Sequence, residues 1–210
     1  MDRRDVRSTF ETIADHFAET RAHPWPEVEA FVAETRRGGT GIDVGCGNGR
    51  HTTLLVGRCE RVVGVDVSRS LLEIARETAS HASFLEADGT HLPLGTNTVR
   101  TAVCIATIHH LPSRDQRVRC LDELARVLEP GGSGLVSVWS TAADRFEETS
   151  GFDTTLPWEL PGGETVDRYY HIYDPAEFEA DLAASAVTVE SLEVSSGNCY
   201  VRVSSEEERT

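Results

Sequence analysis

Thr40–Arg50 reads TGIDVGCGNGR: a short apolar strand, a glycine-rich turn and the opening of a helix. Glycine tolerates positive φ and lets a polar ligand lie directly on the backbone. Asp43, Gly45, Gly47 and Gly49 form an Asp-x-Gly-x-Gly-x-Gly pattern. A dinucleotide fingerprint would need its third glycine where this chain carries Arg50, which argues against a pyrophosphate ligand.

Outward from the turn, the strands GIDV, RVVGVDV, SFLEA and VRTAVCIA alternate with helical patterns over 48–56, 69–79 and 114–127. Pro130-Gly131-Gly132 stops the last helix before an apolar strand from Gly134 to Trp139. Such alternation predicts an α/β fold, a mostly parallel sheet with helices on both faces. A helix over 175–184 and strands at roughly 187–194 and 198–203 would complete seven strands, ending in an antiparallel C-terminal hairpin. Gly197-Asn198 is its expected turn. Residues 1–38 carry two helical patterns, expected to form part of a lid over the site. Residues 140–165 show neither period and read as a flexible insertion, within a single domain spanning 1–210.

In doubly wound sheets, ligands bind at the carboxyl ends of the strands. Asp66 ends the second strand, roughly 20 residues past the turn, where an acid accepts both ribose hydroxyls of a nucleoside. Asp88, followed by Gly89, ends the third and could accept from an adenine amino group. Asp43 would orient the turn and a ligand ammonium. With Cys46 and Asn48 in the loop, and Val67 and Ala106 at strand ends, these residues make up the expected cofactor site. The fourth strand runs into His109 and His110. One of them is expected to be structural, and His109 is the choice for the pocket. Neither shows metal-ligand spacing, so no metal is expected.

The formal net charge is −15, and all 20 basic residues are arginine. An acidic, lysine-free surface suits a salt-filled, halophilic cytoplasm. At about 1 M salt the Debye length is about 3 Å, so repulsion from nucleic-acid phosphates is screened and the charge does not exclude RNA. Five scattered cysteines without a Cys-x-x-Cys pair favour reduced thiols in a cytoplasm. No apolar run reaches membrane-spanning length, so no membrane association is expected.

The runs FETIADHFAETRAHPWPEVEAF, DVGCGNGRH, ATIHHL, ELARVLEPGG, VSVWS, RYYHIYDPAEFEADL and GNCYVRV together resemble the tRNA wobble-uridine carboxymethyl methyltransferases, a Rossmann-like, S-adenosylmethionine-dependent family. Arg21 to Pro26 and Arg168 to His171 are the runs most particular to it. Cys199 departs from it, standing where related sequences tend to carry Trp. The resemblance implies methyl esterification of 5-carboxymethyluridine at the first anticodon position of tRNA, with S-adenosylmethionine as donor. It also implies a small zinc-binding activator subunit in a heterodimer, paired at the edge strand Ser83 to Ala87.

A uridine acetate is already ionised at neutral pH, so the chemistry needs alignment rather than a general base. Arg21 would grip the carboxylate, with His109 and Tyr170 completing the catalytic set. Arg168, Tyr169 and His171 would bind substrate, the aromatic rings offering faces to an everted base. Trp25 and Trp139 stay open between site and core. The loop also fits a small-molecule carboxyl, O- or C-methyltransferase. A non-catalytic cofactor-binding subunit would keep the loop and acids without needing Arg21, His109 or Tyr170.

Overall fold

In the computed structural model, which describes residues 2–205, the glycine loop lies at the centre of a seven-stranded sheet. The parallel strands are β1 (Thr40–Val44), β2 (Arg61–Asp66), β3 (Ser83–Glu86), β4 (Val99–Ile105) and β5 (Leu128–Trp139). Two more, β8 (Thr188–Ser195) and β9 (Asn198–Ser204), return antiparallel, in the order β3-β2-β1-β4-β5-β9-β8. The order reverses between β1 and β4, so a crevice opens at their carboxyl ends.

Both faces of the central strands are covered, which explains their unbroken apolar runs. On one face Val44 and Cys104 meet Leu121 and Leu124 of α5 (Arg114–Val127) and Phe178 of α6 (Pro175–Ala183). On the other, Val103 and Ile105 meet Val28 and Phe31 of α2 (Pro26–Glu34) and Leu55 of α3 (Thr52–Val56). Leu121 is fully buried, and cutting it to Ala would cost about 2–5 kcal/mol. Cys199 is also buried, opposite Val138 and Val194, and packs in the core.

Several boundaries differ from the sequence reading. The helix expected over 48–56 shortens to α3, because the loop keeps positive φ at Gly47 and Gly49 and only then turns helical. Pro130-Gly131-Gly132 lies inside β5, which begins at Leu128 and shifts register against β4. The hairpin turns at Ser196-Gly197, both with positive φ, and Asn198 already belongs to β9. The larger correction concerns 140–165. Phe152–Glu159 forms β6, which pairs antiparallel with β7 (Thr165–Ile172) as a separate ribbon. Along β6 burial does alternate, with Phe152, Thr154, Leu156 and Trp158 turned inward and the residues between them exposed. Only Trp158 is buried, however, and Pro157 and the two threonines dilute the apolar pattern in the sequence.

The first helix, α1 (Arg3–Thr20), is started by a capping box between Asp2 and Asp5. It crosses the mouth of the crevice. Glu11 accepts the Arg69 and Ser70 N–H groups at 2.7 and 3.0 Å, at the start of α4 (Arg69–Thr78). Thr9 reaches the carbonyl of Asp167 in β7. No helix among the described residues is long and apolar enough to cross a membrane.

Candidate active site

The crevice is a cavity of about 1230 Å³ counted out to its open mouth, bounded by α1, the glycine loop, the ends of β1, β2 and β4, and β7. Arg3, Phe10, Phe17 and Trp25 line it from residues 1–38.

At one end the loop is folded by its own acids. Gly45, Gly47 and Gly49 have φ of 69°, 52° and 81°. A side chain at Gly45 would collide with Thr107, and one at Gly49 would press on Ala75. Asp66 accepts the N–H groups of Gly47 and Ser68, each at 2.8 Å, while still lining the cavity. Asp43 is buried, with Thr52 Oγ1 donating to it at 2.6 Å. Burial, with the nearby Asp66 charge against it, pushes the Asp43 carboxyl up to about 7. Arg50 lies over the Trp25 ring at 5.2 Å, and burial lowers its guanidinium to about 10. Arg50 lines the cavity beside the bare backbone turn, where it fits the carboxylate of an amino-acid moiety, whereas Asp43 lies buried behind the turn and braces it through Thr52 rather than lining the cavity. Asp88 reaches the cavity with Val67 and Gly89, but Arg3 engages its carboxylate and Thr90 donates to its other oxygen at 2.9 and 2.8 Å.

At the other end, Ala106 takes positive φ (52°), turning the chain from β4 into the short 3-10 turn Ile108–His110. His109 is fully buried. The Trp139 main-chain N–H donates to its Nδ1 at 3.0 Å, so the ring proton sits on Nε2, which has no partner among the described residues. Burial holds His109 well below the ordinary histidine range. His110 donates through Nδ1 to the Tyr169 carbonyl at 2.8 Å, and burial pushes it down to about 4. Tyr170 stacks on Trp139, centroids 4.4 Å apart and 12° from parallel.

Arg168 is buried with its guanidinium 4.4 Å over Trp158 and 5.2 Å over Tyr170. Its Nε has no partner, and among the described residues no carboxylate pairs with it. Burial lowers its affinity for the proton. Arg21, exposed, also lies over Trp158, 5.3 Å from its centroid, so that indole meets two guanidinium groups.

Not every expected residue reaches the cavity. Tyr169 and His171 are corrected: both face away from it, because neighbours on β7 alternate. The Tyr169 hydroxyl donates to Asp153 at 2.7 Å, and His171 lies between Asp153 and Glu177 at 2.8 and 2.9 Å. The Cys46 side chain packs with Leu72, Ala75 and Phe84, leaving only its backbone in the loop. Asn48 spends its amide on the Arg21 carbonyl at 3.0 Å, so it braces the mouth. Trp25 is both core and cavity wall. Arg50, Phe10, Phe17 and Trp158 were missed. The two phenylalanines read as ordinary helical core positions, and Trp158 lay in the stretch without a period.

A parallel sheet closed by an antiparallel hairpin, with an acid at each strand end around a glycine loop, defines the methyltransferase class of α/β domain. The family described as "Methyltransferase domain" matches residues 42–136. The chain is 36% identical over 160 residues to a tRNA (carboxymethyluridine(34)-5-O)-methyltransferase of Saccharomyces cerevisiae, covering 74% of this chain and 57% of that one. It is 31% identical over 195 residues to the Schizosaccharomyces pombe protein of the same name, covering 82% and 83%. Among solved structures it superposes on a chain of the complex between the Haloferax volcanii Trm112 methyltransferase activator and the putative methyltransferase. The TM-score is 0.75 at 17% identity, over 98% and 99% of the two chains, a likeness of fold. This chain belongs to the tRNA (carboxymethyluridine(34)-5-O)-methyltransferase family. It spans just over half the length of the S. cerevisiae relative, 57%.

Proposed function

We propose that this chain uses S-adenosylmethionine to methyl-esterify the carboxymethyl group of 5-carboxymethyluridine at the wobble position of tRNA. The observation that carries the reading is Arg168: a buried guanidinium without a counter-ion, on the same wall as the unpaired Nε2–H of His109. A desolvated lone cation weakens the fold unless an anion meets it, so the wall suits a carboxylate. The donor would be held by the Gly45–Gly49 turn, Asp43, Arg50 and Asp66, with Asp88 at the base end once Arg3 releases it. When bound, S-adenosylmethionine supplies an electrophilic sulfonium methyl carbon.

Arg168 and Arg21 grip the substrate acid, and His109 donates to one carboxylate oxygen, aiming the other. Phe10, Phe17, Trp139 and Tyr170 keep water out. An O–C bond forms, an S–C bond breaks, and no proton moves, so neutral histidines are no handicap. Alignment alone can supply on the order of 7–11 kcal/mol of the barrier. The ester is neutral, so Arg168 loses its hold on the product. The net charge of −15 supports a second reading, a small free carboxylic acid as substrate.

Residues 1–38 act as part of the lid in this proposal. The β3 edge, with Leu85 39% exposed, is the strand onto which a small zinc-binding activator subunit would add. The acidic, lysine-free composition supports a salt-rich cytoplasm as the location. The deciding experiment incubates the protein, co-expressed with its activator, with labelled S-adenosylmethionine and total tRNA from a strain lacking the gene. Label is expected in 5-methoxycarbonylmethyluridine after nucleoside digestion. Its absence there overturns the tRNA reading.

A further inference from the structure

Trp139 lines the cavity with one face already stacked on Tyr170. The Arg145 guanidinium covers the ring as well, 4.0 Å from its centroid, and also touches Phe146 at 4.9 Å. Arg145 is exposed and, among the described residues, makes no salt bridge, although Asp144, Glu147 and Glu148 are its neighbours in sequence. Arg3, Arg7, Arg69 and Arg100, by contrast, each hold a carboxylate. The segment carrying Arg145 is a series of turns between β5 and β6, tied through the Ala143 and Phe146 N–H groups to nearby carbonyls. Its guanidinium can therefore swing away without breaking a sheet.

We propose that Arg145 is a placeholder for the target nucleobase: the base displaces it from Trp139, and the released guanidinium pairs with a phosphate flanking that nucleotide. This rests on the RNA reading above. Trp139 is half-buried and Arg145 is exposed, so this cation stays hydrated and holds the ring weakly, whereas a nucleobase stacks on the same face with its whole area; the exchange therefore runs toward the base. A planar cation covers that face of the ring in the free protein, and its charge is what a phosphate requires.

The test measures kcat/KM of the protein with its activator on two substrates, an anticodon stem-loop bearing 5-carboxymethyluridine and the free nucleoside. With Arg145→Ala, the stem-loop to nucleoside ratio is expected to fall about tenfold, the loss of one charge-assisted contact. The slope of log kcat/KM against log salt should become shallower by about 0.7, one phosphate contact fewer on a single strand. Arg145→Lys, which keeps the charge, should retain the salt slope. An unchanged ratio and slope in Arg145→Ala would overturn the assignment, because a residue that only packs on Trp139 alters neither. If the unaltered protein methylates the nucleoside but ignores the stem-loop, the RNA reading falls, and this inference with it.

Discussion

The Trp139 main-chain N–H donates to His109 Nδ1 over 3.0 Å, and this one bond decides what His109 is able to do. With Nδ1 occupied as an acceptor, the ring offers a single N–H at Nε2 and no basic nitrogen toward the cavity. His109→Ala should lower kcat roughly 10²-fold, the scale for losing one positioned donor, with the cofactor Kd little changed. His109→Gln should recover part of it. Burial pushes His51 to about 3 and His110 to about 4, so no pocket histidine titrates near neutrality. At saturating cofactor, where the Asp43 contribution to binding drops out, a kcat–pH profile with a histidine-like limb near pH 6.5 would refute the donor role.

Asp43 gives a prediction whose sign follows from linkage. Its carboxyl is raised to about 7 from 3.8, so the native state holds a proton that the unfolded chain has lost between those values. Ligand-free stability is therefore highest below pH 4 for this group and declines as pH rises toward 7. Asp43→Asn should raise the melting temperature at pH 8 while weakening cofactor binding. A bound ammonium reverses the penalty, so cofactor affinity of the unaltered protein should rise through pH 7 with release of a proton. Calorimetry in buffers of different ionisation enthalpy measures that proton. Binding without proton release would show that Asp43 does not meet the ligand's charge.

Arg168→Met exchanges an unpaired buried cation for an apolar chain of similar reach between Trp158 and Tyr170. Melting temperature should hold or rise, as for other desolvated charges replaced by apolar groups. Turnover should drop by the equivalent of about 2–5 kcal/mol, the loss of one partner from a buried ion pair with substrate. A large fall in stability with activity preserved would make Arg168 a packing residue.

Leu85 tests the proposed activator surface. It is 39% exposed on β3, an edge strand, and lies on the far side of β2 from β1. Leu85→Lys adds a charge where an incoming strand would lie. Co-purification of a co-expressed activator should be lost while the melting behaviour of the isolated chain is retained. Undiminished co-purification would place the partner elsewhere.

The parallel sheet, the glycine turn and the acids at the ends of β1, β2 and β3 were legible because they follow local rules. Period, positive φ and strand-end position are all written in neighbouring residues. The edge position of Ser83–Glu86 was accessible only through the family resemblance, and the full strand order comes from the tertiary structure. What the sequence could not reveal was the β6–β7 ribbon and therefore the neighbours of Arg168. FDTTLPWE carries a weak two-residue alternation at Phe152, Leu156 and Trp158, but it buries one residue and has Pro157 in the run, so which strand it pairs with is decided by β7 rather than by the segment itself. The same holds for Tyr169 and His171, whose aromatic and basic character suited a site until Asp153 and Glu177 claimed them from behind. Local chemistry thus determined the cavity's floor, and tertiary packing decided its wall. Whether a buried cation or ring is free for a ligand depends on which distant side chains have already satisfied it.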